Sequence, residues 1–275
     1  MPKLFFRFLK YYLRAKTRYN VHSPFVFEFT EAVLEDDRWF YAFDEIEAVR
    51  DYMLKDKRTI RVKDMGAGSK VENKKERSIA SLARHSANQP LPCQYLFKIV
   101  NLYKPETMLE LGTSLGISTN YQAAAARNSK MITIEGCPQT AHLATGNFKM
   151  MKTKNVKLLQ GSFDDLLPKA LKDLGRLDYL FVDGNHRKEP TLRYFEKCLE
   201  HAHPGSVFVF DDIHWSAGME AAWEEIKQNP KVTLTIDLFF FGVVFFRKEQ
   251  QRKEHFILAP WMWKPWRIGL VDFFG

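Results

Sequence analysis

The stretch at residues 108–119 constrains this chain more than any other. Met108, Leu109 and Leu111 form a short apolar run broken only by Glu110; Gly112 and Gly116 follow with Ser114 between them, and an amphipathic segment begins at Ile117. The order is that of a buried strand, a glycine turn and a helix start. A second apolar run, 131–134, closes on Glu135, 23 residues after Gly112. A glycine turn followed at this distance by a strand ending in a carboxylate is the layout of a nucleoside-binding crevice. The glycines let the backbone pass close to a ligand, and the acid can accept hydrogen bonds from two ribose hydroxyls.

Two phosphate-binding alternatives lack their signatures. A dinucleotide site wants Gly-x-Gly-x-x-Gly, because the backbone nearly touches a pyrophosphate at the helix N-terminus, and the second glycine position here is Ser114. No Gly-Lys-Ser/Thr arrangement follows either. Glu110, Gly112, Ser114 and Gly116, at alternate positions, resemble motif I of the class I S-adenosylmethionine (SAM) methyltransferases, in a form common among small-molecule O-methyltransferases.

Regular α/β patterning begins near Leu91. Helical periodicity covers 91–103, 117–127, 139–151, 163–174, 191–201 and 219–228; apolar strands fall at 108–111, 131–134, 156–159, 177–182 and 206–210. Continuous apolar strands alternating with helices predict a parallel sheet covered on both faces. Residues 232–238 and 241–247 are joined by too few residues for a crossover helix and so predict an antiparallel hairpin. Five parallel strands and a final reversed strand are what the resemblance implies: a Rossmann-like class I methyltransferase fold, mostly parallel, with a helical N-terminal extension. The domain division read from the sequence is 1–90, a helical cap; 91–247, the SAM-binding domain; and 248–275, an aromatic tail with Trp261, Trp263 and Trp266 around Pro260 and Pro265.

The N-terminal third reads as helices at 1–20, from Pro24 (with Ser23 as cap) to the Asp36–Asp37 pair, at 42–54 and at 76–84. The stretch 64–69, with Gly66 and Gly68, imitates a SAM motif but follows a short polar run, 59–62, and reads as a connector or lid loop flanked by Lys63, Lys70, Lys74 and Lys75. Before Glu28 there is no acid, while Lys3, Arg7, Lys10, Arg14, Lys16 and Arg18 alternate with aromatics. No run there is long or apolar enough for a signal or a membrane span. The first expectation is a helix docked on its own domain; peripheral contact with an anionic membrane, through this helix or the Trp-rich tail, is the alternative. The net charge of +8 suits that alternative or nucleic acid, but no RNA-methyltransferase signature accompanies it. Cys93, Cys137 and Cys198 lie far apart, which suggests no disulfide framework and places the protein in the cytoplasm. No motif names an oligomeric state.

Chemistry in open α/β sheets gathers at the C-terminal strand ends. Gly161, Ser162 and Phe163 follow the third strand, where the resemblance implies contacts to adenine; Ser162 and Asp165 also read as a helix cap. The fourth strand runs into Asp183, Gly184, Asn185 and His186, and the fifth into Asp211, Asp212 and His214. Three carboxylates and two imidazoles are thus expected at one mouth. Like charges persist there only with a cation or a shared proton, so Asp183, Asp211 and Asp212 are candidate ligands for Mg²⁺ or another divalent ion. This resembles the metal-dependent catechol-type O-methyltransferases, except that Asp212 stands where their pattern has Asn; Asp183 with His186 is similar to a broader group in which the histidine acts as base. The expected function is SAM-dependent methyl transfer to a hydroxyl of a small molecule, with Asp183 and His186 catalytic. An enzyme acting on nitrogen or RNA, and a silent SAM-binding or membrane-associated scaffold, are the alternatives.

Overall fold

The computed structural model describes residues 2–62, 76–249 and 252–264. Gly66, Gly68 and the lysines around them, together with Pro265 and Trp266, lie outside the described residues.

The chain opens with α1 (Pro2–Arg14). The helix stops earlier than the predicted residue 20 because Lys16 turns extended and bridges Leu258 in parallel; a 3-10 turn, Arg18–Asn20, follows. Next come α2 (Pro24–Phe29), started by the fixed φ of Pro24 without a Ser23 side-chain bond and continued as a π turn at Thr30–Leu34, and then α3 (Tyr41–Lys55). The predicted helix at 76–84 is corrected at its start. Residues Glu76–Ser78 form β2, antiparallel to β1 (Thr59–Arg61), and the Ser78 hydroxyl accepts the Ser81 N–H at 3.1 Å to cap α4 (Ile79–His85). Cross-strand pairing overrides the helix propensity of three residues. The next helix, α5 (Pro90–Tyr103), ends where Lys104 turns left-handed before Pro105.

Beyond it the α/β alternation is close to the predicted one: β3 (Thr107–Leu111), α6 (Ile117–Ala125), β4 (Lys130–Glu135), α7 (Pro138–Met150), β5 (Val156–Gln160), α8 (Phe163–Leu174), β6 (Tyr179–Val182), α9 (Lys188–Leu199), β7 (Val207–Asp211), α10 (Ala217–Gln228), β8 (Leu234–Asp237) and β9 (Phe241–Phe245). Residues Glu254–Ile257 add β10, within what the sequence alone marks only as an aromatic tail. The sheet order is β10-β8-β9-β7-β6-β3-β4-β5. Strands β5, β4, β3, β6 and β7 are parallel; β9 is antiparallel to both β7 and β8, as the hairpin reading requires. The order reverses between β3 and β6, which opens a crevice at their C-terminal ends.

Side-chain alternation sorts the sheet into two cores. Met108, Phe181, Val209 and Val243 pack with Phe29 of α2 and Leu96 of α5 on one face. Leu109, Leu180, Phe208 and Val244 pack with α8, α9 and α10 through Leu171, Phe195 and Trp223 on the other. Both faces are covered, which is why the strands read as unbroken apolar runs. A third cluster joins Phe43 and Ile46 of α3 to Leu82, Phe97 and Tyr121.

Helix α1 docks as expected. The Phe8 and Tyr11 rings lie 5.0 and 5.3 Å from that of Phe239, Arg7 pairs with Glu220 at 2.8 Å, and the Tyr12 hydroxyl donates to the Trp263 carbonyl at 2.6 Å. Among the described residues no helix is long and apolar enough to cross a membrane.

Candidate active site

The loops at the C-terminal ends of β3, β6 and β7 converge, and each contains a non-glycine residue with positive φ: Ser114 (48°), Asn185 (53°) and Asp212 (54°). Left-handed backbone costs free energy and persists where surrounding structure enforces it. Gly112, at φ 106°, turns the chain out of β3; a Cβ there would stand 2.0 Å from the Asp183 carbonyl oxygen, while the Asp183 N–H donates to the Leu111 carbonyl at 2.8 Å. The glycine lets two sheet loops touch. Gly116, at φ 77°, caps α6, and a Cβ would meet the Phe148 ring at 2.6 Å. The space that the sequence pattern reserves for a ligand beside these two glycines is thus required first by the protein itself.

Glu135 ends β4 beside this loop. Its Oε2 accepts the Ser114 N–H and its Oε1 the Cys137 N–H, each at 2.8 Å. Two amides from different loops therefore fix the carboxylate plane, as a donor-reading acid needs. The hairpin of β1 and β2 stands at the same place: the Arg61 N–H donates to Gln139 Oε1 at 2.5 Å and Cys137 Sγ to the Arg61 carbonyl at 3.6 Å. Glu110 lies near the end of β3. It is wholly buried behind the turn, accepting from Ser118 at 3.1 Å, Gln122 and Thr133 at 2.7 Å, and Thr119. Burial raises its carboxyl above the usual range, against those four donors. It braces the motif from behind.

After β5, Gly161 donates its N–H to the Glu135 carbonyl at 2.9 Å, tying this loop to the end of β4. Ser162 caps α8, the second of its two expected roles, accepting the Asp165 N–H at 3.2 Å. Phe163 is half-buried with its ring over Gly184, where a Cβ would approach within 2.7 Å, and edge-on to Tyr194 at 5.6 Å. It thereby links the third and fourth loops.

The Asp183 and Asp211 carboxyls face each other at this mouth. Burial, then the neighbouring Asp211 carboxyl, then the Asp212 charge, hold Asp183 well above the carboxylate range; burial and Asp211 push Asp212 up to about 8. His186 Nε2 stands 3.7 Å from Asp183 Oδ1 and 4.0 Å from Asp212 Oδ2. Asp211 Oδ1 accepts the Asp212 N–H at 2.9 Å, which folds the β7 end into its left-handed turn. A residue that sequence reasoning misses completes the cluster: Asn88, just before α5, donates from Nδ2 to Asp183 Oδ2 at 2.9 Å. A lone Asn ahead of a proline-led helix looks like a cap and carries no other signal. Asn185 is missed in the same way; its Nδ2 donates to the Tyr194 hydroxyl at 3.2 Å while its buried Oδ1 has no partner among the described residues.

The second imidazole does not reach this mouth. His214 turns to the far side of the β7 loop, between Asp237 (2.9 Å) and Glu220 (3.2 Å), stacked on Phe239. The acids of α10 and β8 supply partners that the local sequence around His214 does not show. As to a metal, Asp183, Asp211 and Asp212 are oxygen donors of the kind a hard divalent ion takes, and their mutual repulsion fits a missing positive charge. Their ligating atoms are not gathered on one point: among the described residues no three His, Cys, Asp or Glu side chains form a metal-binding group.

A sheet of this order, with a glycine turn after β3 and a carboxylate at the end of β4, is a Rossmann-like arrangement, and residues 109–213 match the family model described as a methyltransferase domain. Over that stretch the chain is similar to methyltransferase domains. It is similar to a catechol O-methyltransferase of Niastella koreensis, 32% identical over 123 residues that make up 44% of this chain and 55% of that protein. It is also similar to the O-methyltransferase hkm8 of Aspergillus hancockii, 25% identical over 145 residues, 50% of this chain and 56% of that protein. The chain spans about half the length of the curated relatives it matches. Among solved structures, an O-methyltransferase from Bacillus cereus in complex with SAH shares the fold with a TM-score of 0.55 and 20% identity, over 80% of this chain and 96% of that one.

Proposed function

We propose that the protein transfers a methyl group from SAM to a hydroxyl of a small molecule, with residues 91–247 as the catalytic unit, 1–90 as its cap and 248–275 as a brace, in the cytoplasm. The observation that supports this reading is the meeting, on one sheet edge of a methyltransferase domain, of an amide-aimed Glu135 with His186 set between Asp183 and Asp212. SAM, when bound, supplies a methyl on a sulfonium, which needs an aligned, deprotonated acceptor. Glu135 reads the ribose hydroxyls, the loop of Gly112, Ser114 and Gly116 shapes the floor, and Gly161, Ser162 and Phe163 border the adenine side. His186 Nε2 takes the acceptor's proton.

The carboxylate excess favours a second reading of the same site, in which Asp183, Asp211 and Asp212, drawn closer together, would hold a divalent cation and the ion would supply Lewis-acid activation of the acceptor hydroxyl. One experiment separates the two. The protein is assayed with SAM and a panel of phenols and catechols, scoring methylated product by mass, before and after EDTA. With His186 as base, chelation leaves the rate unchanged and His186→Ala slows it by on the order of 10²–10⁴-fold. Loss on chelation with recovery in Mg²⁺ assigns the metal instead. No product from the panel, with SAM binding intact, overturns methyl transfer to a phenolic hydroxyl.

A further inference from the structure

Docking on the domain and contact with a membrane would compete for a single face of α1, but the helix has a separate face for each. Leu4, Phe8, Tyr11 and Ala15 recur at helical spacing and turn inward; Tyr11 and Ala15 are buried, and Tyr11 donates its hydroxyl to the Leu258 carbonyl. On the opposite face Phe5, Phe6, Leu9 and Leu13 stand 61%, 65%, 40% and 64% exposed. The 3-10 turn Trp261–Trp263, which Tyr12 and Trp263 hold against α1, adds Met262 at 70%. Four large apolar side chains in one outward stripe on a helix are unlike the scattered apolar residues of an ordinary surface.

Along one flank of the stripe runs a basic row, Lys3, Arg7, Lys10 and Arg14. Arg7 is paired with Glu220, whereas Lys3, Lys10 and Arg14 are exposed, and among the described residues Lys10 and Arg14 make no ion pair. Arg7, Lys10 and Arg14 also wall a groove of about 550 Å³ between α1, α10 and the β8–β10 edge, where Glu220 and Asp237 are already engaged by His214, and Glu224 by Lys227. No acid appears in the chain before Glu28. An apolar stripe flanked by cations, on a helix whose third face is fixed to a folded domain, is the arrangement of a helix lying in the plane of an anionic bilayer surface.

We propose that the outer face of α1 binds an anionic lipid surface, with Phe5, Phe6, Leu9 and Leu13 entering the acyl boundary and Lys3, Lys10 and Arg14 facing lipid phosphates. The inner face keeps the domain attached, so binding requires no unfolding of α1. A protein partner or a second copy of this chain would want the same apolar stripe but would not require free anionic charge, and that difference decides the test.

The full chain is co-sedimented with vesicles of phosphatidylcholine alone and of phosphatidylcholine with phosphatidylglycerol, at low and high salt, and its solution mass is measured by light scattering. Expected are binding to the anionic vesicles only, weakening with salt, and a roughly tenfold or greater loss in both Phe5→Ser/Leu9→Ser/Leu13→Ser and Lys3→Glu/Lys10→Glu/Arg14→Glu. These positions are exposed, so both variants should retain the wild-type melting temperature, which checks that the loss is not unfolding. Equal pelleting with neutral vesicles, no pelleting at all, or a dimer that the triple-serine variant dissociates would each overturn the proposal.

Discussion

Glu135 shows how much of a site depends on the groups behind it. A half-exposed glutamate after a strand would ordinarily sample several rotamers; here amides of Ser114 and Cys137 hold both oxygens, so the entropy of aiming the carboxylate is already lost in folding. If the ribose is read there, Glu135→Ala weakens SAM by about 2–4 kcal/mol with the fold intact. Calorimetric titration of SAM into both proteins decides it, and equal affinities remove Glu135 from the site. The acid is visible in the sequence because a strand end and a fixed distance from a glycine turn mark it. The reason for Gly112 is not, because the Asp183 carbonyl 2.0 Å from its absent Cβ arrives from 71 residues away. Asn88 escapes notice for the same cause: its only distinction is a partner, and partners are set by the sheet order.

At the scale of elements, strands are legible wherever both faces are buried, since an unbroken apolar run of that length is stable only when it is covered on two sides. Strands β2 and β10 are hidden because they are three and four residues long and carry polar residues, so that pairing alone makes them strands. The same logic sets which joints carry stability. Asp178, at the entry to β6, accepts the N–H groups of Glu106 and Thr107 at 2.8 and 2.9 Å, His203 at 2.8 Å and Arg176 at 3.0 Å, clamping the starts of β3 and β6. Burial raises its carboxyl, but the Thr107 amide, His203, the Glu106 amide and Arg176 together outweigh burial and hold it below the usual range. A carboxyl depressed on folding contributes stability that is present above its unfolded pKa, near 4, and lost as pH falls through the folded value. Asp178→Ala should therefore cost about 3 kcal/mol at pH 7, and denaturant melts should show the gap from wild type closing below about pH 4. A gap that stays constant with pH would show that the clamp acts through packing rather than charge.

In the whole molecule, the order of the sheet puts the glycine turn, the acids and the hairpin loop on one edge, and the first and last described segments are joined beside it. Lys16 bridges Leu258, the Lys264 ammonium donates to the Ala15 carbonyl at 2.7 Å, and the Phe8 ring meets Phe239 two residues before the hairpin's second strand. Removing residues 1–20 uncovers this seat and should lower stability by about 3–5 kcal/mol, with calorimetric SAM affinity retained; an unchanged melting temperature would mean that the helix only rests there. None of this pairing can be read from either terminus alone.

The distance along the chain between those partners also sets a schedule. Tyr11 and the carbonyl it binds are 247 residues apart, and at about 5–20 residues per second a ribosome needs roughly ten to fifty seconds to make the second after the first. Throughout that interval α1 exists without its seat, and the face later closed by Tyr11 and Ala15 is as bare as the one carrying Phe5 and Leu13. Synthesis thus presents the helix with two apolar faces and the finished fold covers one, so the inner face stays open until Leu258 is in place.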